Sequence, residues 1–170
     1  MDPTDQSPEE MYSVWALPRH RPRSHASPPL RRHRGVLDSM YGALTSCLVL
    51  QLLSAAAGLR PFTARVASIG RYGVNLLLEP TREMMATSDH CRAHFDYQRP
   101  APYVPHLSLL YGDHLTEEEK AAARKKAGEM DKGIFGLQFE ISELALYKTD
   151  PKDKSLESWE LVELCHLQKK

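Results

Sequence analysis

Cysteine is scarce in this sequence and metal-type spacing is missing. Three residues, Cys47, Cys91 and Cys165, stand far apart and leave one over from any pairing, which speaks against a disulfide framework and against a structural zinc site. Net charge is absent as well, with 22 Lys plus Arg against 22 Asp plus Glu, so the molecule as a whole has no field that draws it to nucleic acid or to an anionic membrane. A leader is not seen either: the first ten residues carry Asp2, Asp5, Glu9 and Glu10 and no base, unlike a secretory signal or an organellar transit peptide. The expectation is a reducing, cytoplasmic setting. Long apolar runs are also few. Residues 39–57 hold no charged side chain, yet Ser39, Gly42, Thr45, Ser46, Gln51 and Ser54 interrupt them, so a buried helix is expected there rather than a membrane span.

What is there is globular. A chain of 170 residues with 42% hydrophobic and 26% charged content can bury a core as one domain. Residues 1–10 read as a disordered acidic start and residues 11–170 as a single domain. Residues 11–17 suit a strand that stops at Pro18. Residues 18–35 are expected to be irregular, because Pro18, Pro22, Pro28 and Pro29 exclude a helix or a central strand; six arginines and three histidines lie between residues 19 and 34. Residues 36–57 read as a helix with Gly58 in a left-handed cap. Strands follow at 61–69 and 74–78, and a helix at 82–95 whose Met84, Met85 and Phe95 face the core. Residues 104–110 form a strand. Thr116-Glu117-Glu118-Glu119 is a capping box that opens a helix to Met130. Alternation at 137–141 resumes, after a shift at Ser142-Glu143, in residues 144–147, and a last strand covers 159–167. This order predicts an α+β fold with mainly antiparallel sheet.

The chemistry concentrates in Pro105-His106-Leu107-Ser108-Leu109-Leu110-Tyr111. On a strand, His106 and Ser108 stand side by side while Leu107 and Leu109 face away. An imidazole gives or takes protons near neutral pH, and a hydroxyl two residues on can donate to a phosphate oxygen. Two such pairs suffice to open a cyclic phosphodiester: one base for water, one acid for the leaving sugar oxygen, and donors for the spreading charge. His90, His94, His114 and His166 are assigned to structure or solvent. His90 and His94 are four apart on a helix, but no glutamate completes a zinc-protease motif, so no metal and no cofactor is expected.

Several segments together resemble the plant-type cyclic phosphodiesterases of the two-histidine phosphoesterase superfamily: Tyr12-Ser13-Val14-Trp15-Ala16-Leu17-Pro18, Leu76-Leu77-Leu78-Glu79-Pro80-Thr81, residues 102–113 around His106, residues 115–120, and residues 144–150 with 153–160. The resemblance implies two lobes related by a pseudo-twofold axis, with antiparallel sheets forming a central cleft and helices outside. It implies hydrolysis of ADP-ribose 1″,2″-cyclic phosphate, a by-product of tRNA splicing, to ADP-ribose 1″-phosphate, and of nucleoside 2′,3′-cyclic phosphates to 2′-phosphates. His106 carries over as a catalytic histidine, Ser108 as a phosphate donor and Tyr111 as a wall or donor of the cleft. The implied protein is a monomer acting on small nucleotide cyclic phosphates, with no membrane attachment and no stable nucleic-acid complex.

The first lobe departs from the pattern. His25-Ala26-Ser27 has the tripeptide but runs into Pro28 and Pro29. His33 stands 73 residues before His106, near the spacing the resemblance implies, but Arg34 and Gly35 follow it and supply no hydroxyl. Either histidine is a candidate partner. The alternative is a catalytically impaired homologue or a non-catalytic nucleotide or RNA binder that uses the basic block of residues 19–34 against phosphates.

Overall fold

Alternating side chains mark two strands of this chain, at residues 62–69 and 74–78. In β3 (Phe62–Ile69), Phe62, Ala64 and Val66 are buried while Thr63, Arg65 and Ala67 are exposed, the period of two that a sheet with one covered face requires. The computed structural model describes residues 11–18, 35–41, 45–70, 74–96, 101–110, 115–130, 132–150, 152–153 and 155–169. Besides β3 these form β1 (Met11–Pro18), β2 (Gly35–Tyr41), β4 (Val74–Leu78), β5 (His106–Leu110), β6 (Gln138–Thr149) and β7 (Glu160–His166). The helices are α1 (Thr45–Ala57), α2 (Arg82–His94) and α3 (Glu117–Met130). All strand pairings are antiparallel, so the α+β class read from the sequence holds.

The strand order is β2-β1-β6-β3-β4-β5, with β7 beside β6. Long β6 joins the two lobes. One of its edges pairs with β1, while the other pairs first with β3 and then, beyond Ser142, with β7. At the changeover the register with β1 skips Ser142, whose carbonyl accepts the Leu167 N–H at 2.8 Å. The break in alternation at Ser142-Glu143 is therefore a bulge within one strand.

Exchanging β1 with β4, β2 with β5, and β3 with β6 maps this strand order onto itself. That is the pseudo-twofold relation, and the chain repeats accordingly: Ser13-Val14-Trp15 in β1 corresponds to Asn75-Leu76-Leu77 in β4, and Pro18 to Pro80. Strands β2 and β5, at opposite ends of the order, pack near one another but share no ladder, so the sheet is not closed.

Helices cover one face. Leu48 and Leu52 of α1, Met84 and Cys91 of α2 and Phe95 at its C-cap pack into a core with Val14, Leu76, Leu107 and Leu144. Leu48 and Leu52, one turn apart and each at most 2% exposed, contribute about 1.5–3 kcal/mol apiece by burial. The capping box of α3 forms in both directions: the Glu119 N–H donates to Thr116 Oγ1 at 3.2 Å and the Thr116 N–H to Glu119 Oε2 at 2.8 Å.

The opposite face of the first lobe carries a second cluster, Trp15, Ala145 and Tyr147, with Trp159 packed on it. Trp15 meets Tyr147 and Trp159 edge-to-face at centroid distances of 6.0 and 5.7 Å. The segment that brings Trp159 there is tied by Asp153, whose carboxylate accepts from the N–H and hydroxyl of both Ser155 and Ser158. Those Ser155 and Ser158 bonds hold the Asp153 carboxyl far below the usual carboxylate range. The Trp159 indole N–H donates to the Asp150 carbonyl at 2.9 Å.

Two expectations are corrected. The helix expected over residues 36–57 is a strand followed by a helix: β2 takes residues 35–41 and α1 starts at Thr45. An apolar, charge-free stretch cannot show where one period gives way to the other, and here the open edge of β1 claims the first part as a partner. Residues 39–57 thus hold no single long helix; among the described residues no helix is long and apolar enough to cross a membrane. Gly58 is also not in a left-handed cap, since Gly136 is the glycine with positive φ among the described residues. Gly58 and Leu59 instead close α1 with bonds to Ala55 and Ala56. Residues 1–10 and 19–34 lie outside the described residues.

Candidate active site

The strand β5 presents His106 and Ser108 to the face that the helices leave open, because Leu107 and Leu109 take the core side. Its partner β4 places Leu77 opposite His106 and Asn75 opposite Ser108. Pro105 sets the entry: its carbonyl accepts the Leu78 N–H at 3.0 Å, and the residue before a proline is held extended. That residue is Val104, whose carbonyl lies 2.8 Å from His106 Nδ1. A carbonyl can only accept, so Nδ1 carries a proton and donates it. Nε2 of the neutral ring is left with its lone pair for proton exchange, the division of labour that a backbone bond imposes on an imidazole. His106 is half-buried and Ser108 is 9% exposed, so the ring is the more accessible of the two side chains.

The first lobe supplies β2, which by the exchange of lobes corresponds to β5. Trp15, the counterpart of Leu77, stands opposite Val36, and Ser13, the counterpart of Asn75, stands opposite Ser39. The register positions of His106 and Ser108 therefore fall on Val36 and Ser39, and β2 contains no histidine. His33 lies two positions before Gly35, the first residue of β2. His25, His33 and Tyr111 lie outside the described residues, as does His114. Sequence reading did not place Asn75 beside Ser108; the signal that finds it is the internal correspondence of residues 12–18 with 74–80, and the strand position of Ser39 was hidden by the helix reading.

The remaining histidines are structural where they are described. His90 Nε2 donates to the Ala55 carbonyl at 3.0 Å, and His94 Nδ1 to the His90 carbonyl at 2.9 Å, so His90 adds a side-chain donor to a carbonyl at the end of α1 that also accepts the Gly58 N–H at 3.2 Å. His166 Nδ1 pairs with the buried Glu143 carboxylate at 3.0 Å. Among the described residues no group of three His, Cys, Asp or Glu could hold a metal ion. A Cβ on Gly58 would stand 2.8 Å from the His90 ring, and that closeness, rather than backbone freedom, is what calls for glycine. Gly58→Ala should break the His90 to Ala55 bond and cost about 1–3 kcal/mol, read as a lower urea midpoint; an unchanged midpoint would remove this role from Gly58.

A cavity of about 280 Å³ between α1 and β7, lined by Leu53, Ala56, Leu164 and Cys165 among others, shares no residue with the His106 face. Burial, and secondarily Glu163, push the Cys165 thiol there upward, away from the thiolate that nucleophilic or ligand chemistry needs.

Comparison with known proteins places this arrangement. Residues 41–153 match the model of the 2′-5′ RNA ligase superfamily. A protein of Arabidopsis thaliana described as cyclic phosphodiesterase is 41% identical over 177 residues, spanning 94% of this chain and 96% of that protein. Among solved structures, E. coli LigT complexed with 3′-AMP superposes with a TM-score of 0.59 at 12% identity, over 95% of this chain and 99% of its own. TT0787 of Thermus thermophilus does so with a TM-score of 0.61 at 14% identity, over 94% and 97%. These structural likenesses carry the fold, and the sequence matches carry the family. With its exchange-symmetric lobes and a His-x-Ser strand on the open face, the chain belongs to the 2′-5′ RNA ligase superfamily, the two-histidine phosphoesterases.

Proposed function

We propose that this protein is a cyclic phosphodiesterase that hydrolyses ADP-ribose 1″,2″-cyclic phosphate to ADP-ribose 1″-phosphate and nucleoside 2′,3′-cyclic phosphates to 2′-phosphates, clearing by-products of tRNA splicing. The observation that carries the reading is His106, with Nδ1 engaged by the Val104 carbonyl and Ser108 beside it on the open face of β5. The description of the Arabidopsis relative as cyclic phosphodiesterase supports it.

In this reading the cyclic phosphate lies against β5 with one non-bridging oxygen on the Ser108 hydroxyl. One histidine takes a proton from water as its oxygen forms the new bond to phosphorus. The other gives a proton to the sugar oxygen whose bond to phosphorus breaks, O3′ in a nucleoside 2′,3′-cyclic phosphate and O2″ in the ADP-ribose derivative. His106 fills one of these roles through Nε2. Its partner is His33, or His25 in its place. Ser108, and any donor near it, holds the negative charge that grows on the phosphoryl oxygens.

The test is hydrolysis of a 2′,3′-cyclic nucleotide and of ADP-ribose cyclic phosphate by the purified chain in the presence of EDTA. Turnover that survives the chelator, with a 2′-phosphate and a 1″-phosphate as products, is expected. Absence of turnover on both would sink the proposal, and turnover abolished by EDTA would sink its two-histidine mechanism.

A further inference from the structure

We propose that Asn75 is a substrate-contacting residue of this site, donating its side-chain amide to a phosphoryl oxygen beside Ser108. The inference rests on the cyclic phosphodiesterase reading of the His106 face and names a donor that the two-histidine motif does not include. Asn75 stands directly opposite Ser108 on the neighbouring strand, two pairs along from Leu77 and His106 and on the same face. Leu76, Leu78 and Leu107 of the same two strands belong to the helix-covered core, so Asn75, Ser108 and His106 share the open face. Directly opposed residues of an antiparallel pair hold their Cβ atoms about 4.5–5.5 Å apart. A phosphate bound by the Ser108 hydroxyl is then within reach of the carboxamide at position 75.

The chain makes room for that carboxamide. Gly70 is buried, its N–H donates to the Asn75 carbonyl at 2.9 Å, and a Cβ at Gly70 would overlap Asn75 Oδ1 and stand 3.0 Å from Cγ. The oxygen end of the amide is buried there while the residue as a whole remains partly exposed. The NH2 end, with two hydrogens to donate, is what the side chain can offer to an anion. The other lobe shows the contrast: Ser13, at the position equivalent to Asn75, is buried, and its hydroxyl is bonded to that of Thr149 at 3.2 Å. One member of the symmetric pair is structural and the other lies beside the phosphate donor.

The chemistry supplies a reason for a donor in the second lobe. Neither residue after His33 carries a hydroxyl, since Arg34 and Gly35 follow it, so a His-x-Ser tripeptide supplies no donor there and an amide at position 75 adds one in the second lobe. A structural role alone, in which Asn75 packs over Gly70, makes a different prediction: replacement would lower stability and leave phosphate affinity unchanged in the folded protein.

The full chain and its Asn75→Asp, Asn75→Ala and Ser108→Ala variants decide between these roles, with inorganic phosphate as probe by calorimetry and a 2′,3′-cyclic nucleotide as substrate. Asn75→Asp keeps the shape, removes the donor and adds a negative charge. It is expected to lower kcat/KM about 100-fold, as loss of a transition-state donor does, and to weaken phosphate binding about 10-fold or more, with Ser108→Ala giving losses of the same order. Asn75→Ala should fall between Asn75→Asp and the wild type. Wild-type phosphate affinity and turnover in both Asn75 variants would overturn the proposal. If the wild type binds phosphate but turns over neither the 2′,3′-cyclic nucleotide nor ADP-ribose cyclic phosphate, the cyclic phosphodiesterase reading fails, and Asn75 is still judged on phosphate affinity. If the wild type binds no phosphate, both fall.

Discussion

His106→Ala is expected to lower the hydrolysis of a 2′,3′-cyclic nucleotide by about 100-fold to 10,000-fold, the contribution usual for a positioned general acid or base. The ring is half-buried at the start of β5 and outside the large core cluster, so the melting temperature should barely move and the loss can be assigned to chemistry. The same measurement on His33→Ala and His25→Ala identifies the partner. Whichever loses activity on the scale of His106→Ala supplies the second proton transfer. If neither does while the wild type turns over, neither His33 nor His25 is the partner. A full rate in His106→Ala would remove His106 from the reaction. The register gives this comparison its edge, because β2 places Val36 and Ser39, and no histidine, at the positions that correspond to His106 and Ser108.

Trp15→Ala should cost about 3–5 kcal/mol, the range for emptying a fully buried large aromatic site. Trp15 is 0% exposed and touches Tyr147 and Trp159 edge-to-face, contacts worth about 0.5–1.5 kcal/mol each beyond area. Since a domain of this kind holds only about 5–15 kcal/mol in total, the variant should unfold at a far lower urea concentration, and Trp15→Phe should recover part of the loss. A change below about 1 kcal/mol in Trp15→Ala would show that Trp159 and its segment sink into the vacated space.

The parts of the fold that were legible in the sequence are those in which local pattern and final environment agree. The capping box at Thr116 and Glu119 closes as written, because its partners lie three residues apart and need nothing from the rest of the chain. His106 and Ser108 were legible for the same reason: a strand after Pro105 forces them to one face. Residues 36–41 were not. Their apolar content suits either period, and the edge of β1 that makes them a strand is brought near only by the fold. Gly58 was misread because the sequence shows a glycine after a helix but not the His90 ring that stands against it. Asn75 escaped notice because nothing adjacent in sequence marks it; Ser108, 33 residues away, gives it meaning.

The place of β6 bears on how the molecule comes into being. β1 leaves the ribosome before the other strands described, yet its main partner is completed only at Thr149, as the bond between the Ser13 and Thr149 hydroxyls across 136 positions records. At about 5–20 residues per second, the nascent chain waits on the order of ten seconds with Tyr12, Val14 and Trp15 unsheltered. Neither lobe can be finished alone, since the strand that completes the first is spliced by its own continuity into the second. A truncation anywhere before Thr149 should therefore leave a sticky fragment for the cell's chaperones rather than a smaller working half.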